Sequence, residues 1–268
     1  YRIFFNKSRK IVIFAKKEKY KNLVVYSAIN KFLQSNKILV PKLHSHNFTK
    51  GLIVIEDFGD LSFYRILTKE KKKFLIYKKL VDLLLKIQKI KPKSKIKNIT
   101  GKTHKIEKYS KNYLHKESDL FFDWYLPGTI GKKKSLKYRK TIRNELDKLY
   151  KKIFFKNKFF VHRDFHVSNI MLVKKNFGII DTQDAILGNP MYDVASLIDD
   201  VRIKVPSKIK KRTFQYYFKK CTLENKQIHL LKNDFDILSV QRNLKILGIF
   251  FRLYKRDKKP HYLKYLPY

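Results

Sequence analysis

The chain has 268 residues, 44% hydrophobic and 15% aromatic, which is enough apolar material for a buried core and excludes a disordered polymer. Its 63 Lys and Arg against 22 Asp and Glu give a formal net charge of +41, but the lysines are scattered through every segment. With the abundance of Ile, Asn, Phe and Tyr, this reads as an A/T-rich coding bias filling solvated faces, not the clustered footprint of a nucleic-acid-binding surface. No apolar run approaches the ~20 residues that span a bilayer. The single cysteine, Cys221, excludes an internal disulfide and suits a reducing cytoplasm.

Residues 2–5 and 10–15 read as paired strands about a turn at 6–9, with Ile11, Ile13 and Ala15 alternating against Val12 and Phe14. Residues 21–35 have helical spacing through Leu23, Tyr26, Ile29, Asn30 and Leu33. Pro41 ends the connection, residues 52–55 form another strand, and Glu56-Asp57-Phe58-Gly59 breaks it. From there helices dominate. Residues 70–90 carry a core-facing stripe of Phe74, Tyr77, Val81, Leu84 and Ile87. Residues 91–105, basic and containing Pro92 and Gly101, predict a loop. Helices follow over 111–126 and 135–154, around a break at Pro127-Gly128. An apolar run at 159–161 and short strands at 170–173 and 178–180, with a turn at 174–177, precede helices over 191–204, 207–221 and 234–254. His44 and His46 have no third ligand nearby and predict no metal site. The pattern is α+β: a small β-rich N-terminal lobe over residues 1–60 and a larger, mainly helical lobe over 61–268.

The chemistry concentrates in residues 159–184. An apolar run leads into His162-Arg163-Asp164, Asn169 follows five positions after Asp164, and two short strands lead to Asp181. Phosphoryl transfer needs a carboxylate to orient the acceptor hydroxyl and oxygen ligands for the nucleotide's magnesium. Asp164 fits the first role, and Asn169 and Asp181 fit the second. His162 reads as a structural hydrogen-bonding residue rather than a proton carrier.

HRDFHVSNIM (162–171) followed by IIDTQDAILGNPMYDVASLIDD (179–200) resembles the aminoglycoside phosphotransferase/choline kinase-like superfamily, distant relatives of protein kinases. Thr182-Gln183 after Asp181, where protein kinases have Phe-Gly, fits the small-molecule branch. The resemblance implies a protein-kinase-like two-lobed fold, ATP and Mg2+ as cofactors, and a role for Asp193 in bracing the catalytic loop; a helix N-terminal carboxylate is the plain alternative. Two further stretches, FFDWYLP (121–127) and QRNLKILGIFFRLYKRDKKPHYLKYLP (241–267), look like the bacterial anomeric sugar kinases that phosphorylate N-acetylmuramate and N-acetylglucosamine in cell-wall recycling. They imply an acceptor pocket near Asp123, Trp124 and Arg242. Core packing is the alternative for Trp124. Along 241–254, Leu244, Leu247, Gly248 and Phe251 read as a core stripe, with Arg242, Lys245 and Arg252 off it, facing a pocket or solvent.

Kinases of this shape use a strand lysine on the phosphates and an acid paired with it. The resemblance points to Lys16 or Lys17, with Glu18 the available acid, and to Glu56, Asp57 and Phe58 as the hinge that meets adenine. The loop covering the phosphates is expected before Arg2, so the N-terminal lobe reads as truncated. The reading is an ATP-dependent kinase acting in the cytoplasm on a small-molecule sugar, with no membrane partner. A kinase for another small alcohol or an aminoglycoside, and a catalytically impaired basic nucleic-acid-binding protein, are the competing readings.

Overall fold

Alternating apolar residues in the N-terminal segment form a four-stranded antiparallel sheet of β1 (Arg2–Phe5), β2 (Ser8–Phe14), β3 (Leu43–Asn47) and β4 (Leu52–Glu56), in the order β1-β2-β4-β3. The computed structural model describes residues 1–5, 8–155, 157–221 and 225–266. Asn6 and Lys7, at the tip of the turn expected at 6–9, and Pro267, at the end of the C-terminal motif, lie outside the described residues. Ile11 stands opposite Ile55 and Ile13 opposite Ile53. That face packs on Leu23 and Tyr26 of α1 (Tyr20–Ser35), as the period-two alternation of a strand requires. β3 carries His44, Ser45 and His46 at the sheet edge and so shows no apolar alternation. The His46 ring stacks on Phe48 at 4.5 Å.

By its internal contacts the chain divides into two compact units, residues 1–107 with 159–187 and residues 108–158 with 188–268. The boundary expected after residue 60 therefore falls inside the first unit. There, α2 (Phe63–Lys69) starts at Ser62, whose hydroxyl accepts from the Arg65 amide, and α3 (Lys73–Gln88) buries Tyr77, Leu80, Val81, Leu84 and Ile87. Each such side chain contributes about 1.5–3 kcal/mol when fully buried. The loop expected at 91–105 contains a hairpin, β5 (Lys95–Lys97) with β6 (Thr103–Lys105). Its one buried apolar side chain, Ile96, is too little to register as periodicity. β7 (Phe159–Val161) pairs with β10 (Ile186–Gly188), and β8 (Ile170–Val173) pairs with β9 (Asn176–Ile179).

In the second unit, α4 (Lys111–Leu120) runs through a π-helical turn at Phe121–Tyr125 into α5 (Leu126–Ile130). Pro127 sits in the first turn of α5, where its missing N–H costs nothing, so the break expected at Pro127-Gly128 falls instead at Gly131 (φ 84°). α6 (Lys132–Lys151) follows, then α7 (Met191–Ile198), α8 (Ser207–Lys220) and α9 (Asn225–Lys255). α7 stops before residue 204 because the Asp200 carboxylate accepts from the Arg202 amide at 3.1 Å, a local turn that competes with the helix.

Gly248 and Phe251 of the expected α9 stripe are buried, but the first part of the buried face is rotated from it. Gln241, Arg242, Lys245 and Ile246 are buried, whereas Leu244 and Leu247 are half-buried. Polar partners draw the cations inward: Lys245 Nζ lies 2.9 Å from Glu117, and Arg242 donates to the Asp199 carbonyl at 3.3 Å. Gly248 lies where α9 meets the backbone of Leu120 and Phe121, leaving no room for a Cβ. Asp234, fully buried, accepts from the Phe154 and Phe155 amides and from Asn189 Nδ2 at 2.6–2.9 Å.

Candidate active site

The strand β7 delivers His162-Arg163-Asp164 into a short loop closed by its own backbone. The His166 amide and Asn169 Nδ2 both donate to the Asp164 carbonyl, at 2.9 and 3.1 Å, and the Asn169 amide donates to the His166 carbonyl at 2.9 Å. From Asn169 the chain turns into β8, and the Ile180 amide returns to donate to the Asn169 carbonyl at 3.0 Å. Asp164, Asn169 and Asp181 are thereby linked through a continuous run of hydrogen bonds.

Two residues of this run adopt left-handed backbone conformations, Arg163 (φ 73°) and Asp181 (φ 64°). Such strain costs about 1–3 kcal/mol per residue and persists where the surroundings enforce it. Here the enforcing contacts are visible. Buried Arg163 donates to the Asp184 carbonyl at 3.2 Å and lies 3.7 Å from its carboxylate, so it clamps the Asp164 loop to the Asp181 segment. Thr182, fully buried, donates its hydroxyl to Asn30 of α1, and Asn30 donates to the Pro41 carbonyl at 3.1 Å.

A cleft of about 710 Å³ opens beside this run within the first unit. One wall is the apolar sheet face, Ile11, Ile13, Ile53 and Ile55, and the other carries Asn169, Asp181 and Gln183. Glu56, Asp57 and Phe58, expected to meet adenine, line it, as does Lys16. An apolar slot ending in oxygen ligands suits a flat base attached to an anionic, metal-binding chain. The Asn169 amide nitrogen is committed to the Asp164 carbonyl, which leaves its side-chain oxygen as the group available to a cation. Asp181 accepts from Gln183 Nε2 at 2.8 Å through one oxygen.

Other expected site residues fall elsewhere. Lys17 and Glu18 lie in an exposed 3-10 turn and do not line the cleft, because the chain leaves β2 before reaching them. Asp57 is held by Arg2 (2.6 Å) and by the Gly59 amide (2.7 Å), so its carboxylate latches β1 to the turn after β4. In the second unit, exposed Asp123 pairs with Arg139 at 2.7 Å, Trp124 is half-buried in the π turn, and Asp193 is fully buried in the first turn of α7. Residues that spacing alone hid include Tyr26 and Asn30, which share the apolar stripe of α1, and Arg163, whose backbone conformation no local pattern announces.

His162 is fully buried, and burial pushes its pKa down, opposed by the Asp164 and Asp181 carboxylates and a hydrogen bond to Ile180. The neutral ring is therefore favoured in the folded chain. The unfolded chain takes up this proton near pH 6.5, the folded chain only at lower pH, so stability present above pH 6.5 is lost as the pH falls below it. Thermal melts between pH 7.5 and 5.5 are expected to show a steeper acid loss for the wild type than for His162→Gln. Parallel curves would refute a buried neutral imidazole.

The model of the Phosphotransferase enzyme family matches residues 26–225, well over half of the chain. The chain belongs to this family. Among curated proteins, this phosphotransferase is 29% identical over 232 residues to the N-acetylmuramate/N-acetylglucosamine kinase of Pseudomonas aeruginosa, covering 85% of the chain and 65% of that protein. It is 27% identical over 236 residues to the kinase of the same name from Neisseria meningitidis, covering 85% and 67%. The chain thus spans about two thirds of the length of these relatives. Of solved structures, spectinomycin phosphotransferase APH(9)-Ia with AMP matches 98% of the chain and 84% of its own, with a TM-score of 0.62 and 12% identity. Choline kinase LicA from Streptococcus pneumoniae matches 99% and 88%, with a TM-score of 0.60 and 16% identity. At such identities these structures establish the fold, the expected α+β kinase-like one, with a small sheet in the N-terminal part and a mainly helical C-terminal part. The expected resemblance is borne out. Among the described residues no helix is long and apolar enough to cross a membrane.

Proposed function

We propose that this phosphotransferase is an ATP-dependent sugar kinase that phosphorylates the anomeric hydroxyl of N-acetylmuramate or N-acetylglucosamine in the cytoplasm. One observation carries the kinase chemistry: Asn169 and Asp181 line one cleft, and Asn169 is hydrogen-bonded to the backbone of Asp164. The acceptor class comes from the relatives' names and from the resemblance of residues 121–127 and 241–267.

In this reading the Asp164 carboxylate accepts a hydrogen bond from the acceptor hydroxyl and aims its oxygen at the terminal phosphate. With a loose transition state, orientation contributes more than full deprotonation. The apolar sheet face and the backbone of Glu56–Phe58 would receive the base. Asn169 and Asp181 would hold Mg2+, which when bound neutralises charge on the phosphate oxygens. Among the described residues no group of three or more His, Cys, Asp or Glu is placed to hold a metal alone. Two protein oxygens supplemented by phosphate and water suit magnesium, which keeps much of its hydration.

The test is phosphate transfer from ATP to a panel of N-acetylmuramate, N-acetylglucosamine, choline and an aminoglycoside, with products read by mass spectrometry. A sugar 1-phosphate from either amino sugar is expected. Transfer only to choline or the aminoglycoside would reassign the acceptor. No transfer, with steeply salt-dependent RNA binding, would replace the enzyme reading altogether.

A further inference from the structure

Kinase chemistry in this cleft requires positive charge and hydrogen-bond donors along the phosphates, and β2 with the two residues after it lines the cleft with Ile11, Ile13, Phe14 and Ala15 and a single cation, Lys16. Further polar groups come from the next element. Lys19 at the N-cap of α1, Asn22 and Tyr26 all line the cleft, spaced i, i+3 and i+7 on one helical face.

Tyr26 is the informative member. It is 5% exposed, yet its hydroxyl makes no hydrogen bond. Its neighbour Asn30 donates to the Pro41 carbonyl and accepts from Thr182, and lies outside hydrogen-bonding geometry with the phenol. Burial, and to a lesser extent the charge of Asp181, push the phenol pKa up, offset in part by Asn30, so the group is a donor at neutral pH. A buried donor left unpaired in a cleft wall costs stability and is a place where a ligand acceptor belongs.

We propose that the Lys19–Asn22–Tyr26 face of α1 is the polyphosphate-binding wall of the cleft, with the Tyr26 hydroxyl donating to a phosphate oxygen. This rests on the kinase reading above and adds to Lys16, the expected lysine that also lines the cleft. The Asn30–Thr182 hydrogen bond ties α1 to the segment carrying Asp181, so the wall and the proposed metal ligand keep a common register.

The experiment is calorimetric titration of Mg·ATP and of adenosine into the wild type, Tyr26→Phe, Lys19→Ala and Lys21→Ala, with thermal melts of each protein without ligand. Tyr26→Phe and Lys19→Ala are expected to weaken ATP binding about tenfold each, the usual effect of losing a charged hydrogen bond. Adenosine affinity should not change. Lys21→Ala removes the same charge from an exposed position that does not line the cleft, and should bind ATP as the wild type does. Tyr26→Phe loses an unpaired hydroxyl, so its ligand-free melting temperature should be unchanged or higher. Wild-type ATP affinity in Tyr26→Phe and Lys19→Ala would overturn the wall and leave the kinase reading standing. A lowered melting temperature for Tyr26→Phe without loss of ATP affinity would make the hydroxyl structural. Failure of the wild type to bind ATP at all would overturn both.

Discussion

Asp164→Ala is expected to lower phosphoryl transfer by about 10²–10⁴-fold, the usual range for a positioned acid–base group, and to leave ATP affinity within about twofold. The substitution is informative because the loop is held by the Asp164 carbonyl, which accepts from Asn169 Nδ2 and the His166 amide and survives in alanine. Asn169 therefore keeps its place, and so does its proposed metal-facing oxygen. Single-turnover transfer to the acceptor sugar, measured beside ATP titration, separates the two effects. A wild-type rate in the variant would end the assignment of Asp164. A parallel loss of ATP binding would mean that the carboxylate supports the loop rather than the acceptor.

The second large effect concerns stability. Glu117 of α4 and Lys245 of α9 form an ion pair of 2.9 Å, with both side chains nearly buried. Glu117 also accepts from Tyr109, from Gln241 Nε2 at 3.1 Å and from Tyr192 at 3.3 Å, and Lys245 donates to the Tyr192 hydroxyl at 3.1 Å. Lys245→Met would leave a carboxylate buried without its counter-charge, which costs about 3–5 kcal/mol when one partner of such a pair is removed. That is a large share of the 5–15 kcal/mol typical of a folded domain. The double variant Lys245→Met/Glu117→Gln should recover most of the loss, because an uncharged amide keeps hydrogen-bond partners in the tyrosines and Gln241. Denaturant unfolding of the single and double variants measures both quantities. A loss under about 1 kcal/mol in the single variant would show that water reaches the pair.

Those two sites differ in how much of them a sequence can show. The grouping of Asp164, Asn169 and Asp181 was legible because it is local. The Asp164–Asn169 interval is closed by hydrogen bonds within the same few residues, and β8 and β9 follow as a hairpin with Asp181 just past its end. The sheet face of Ile11, Ile13, Ile53 and Ile55 was equally legible, since a strand's alternation is written into adjacent positions. Strand β3 was not, because an edge strand with polar side chains needs only backbone pairing.

What the sequence by itself determined is the grouping of Asp164, Asn169 and Asp181, proposed above for phosphoryl transfer, and the alternation of helices and strands that carries it. Only the tertiary structure decided which face of α9 is buried, because the carboxylate that makes Lys245 an interior residue comes from α4, far along the chain. Likewise Tyr26 reads as one more apolar position in a helical stripe until the fold sets its unpaired hydroxyl in the wall of the cleft that Asp181 also lines. Helical period reports which residues share a face, while the environment of that face depends on groups that only folding brings near.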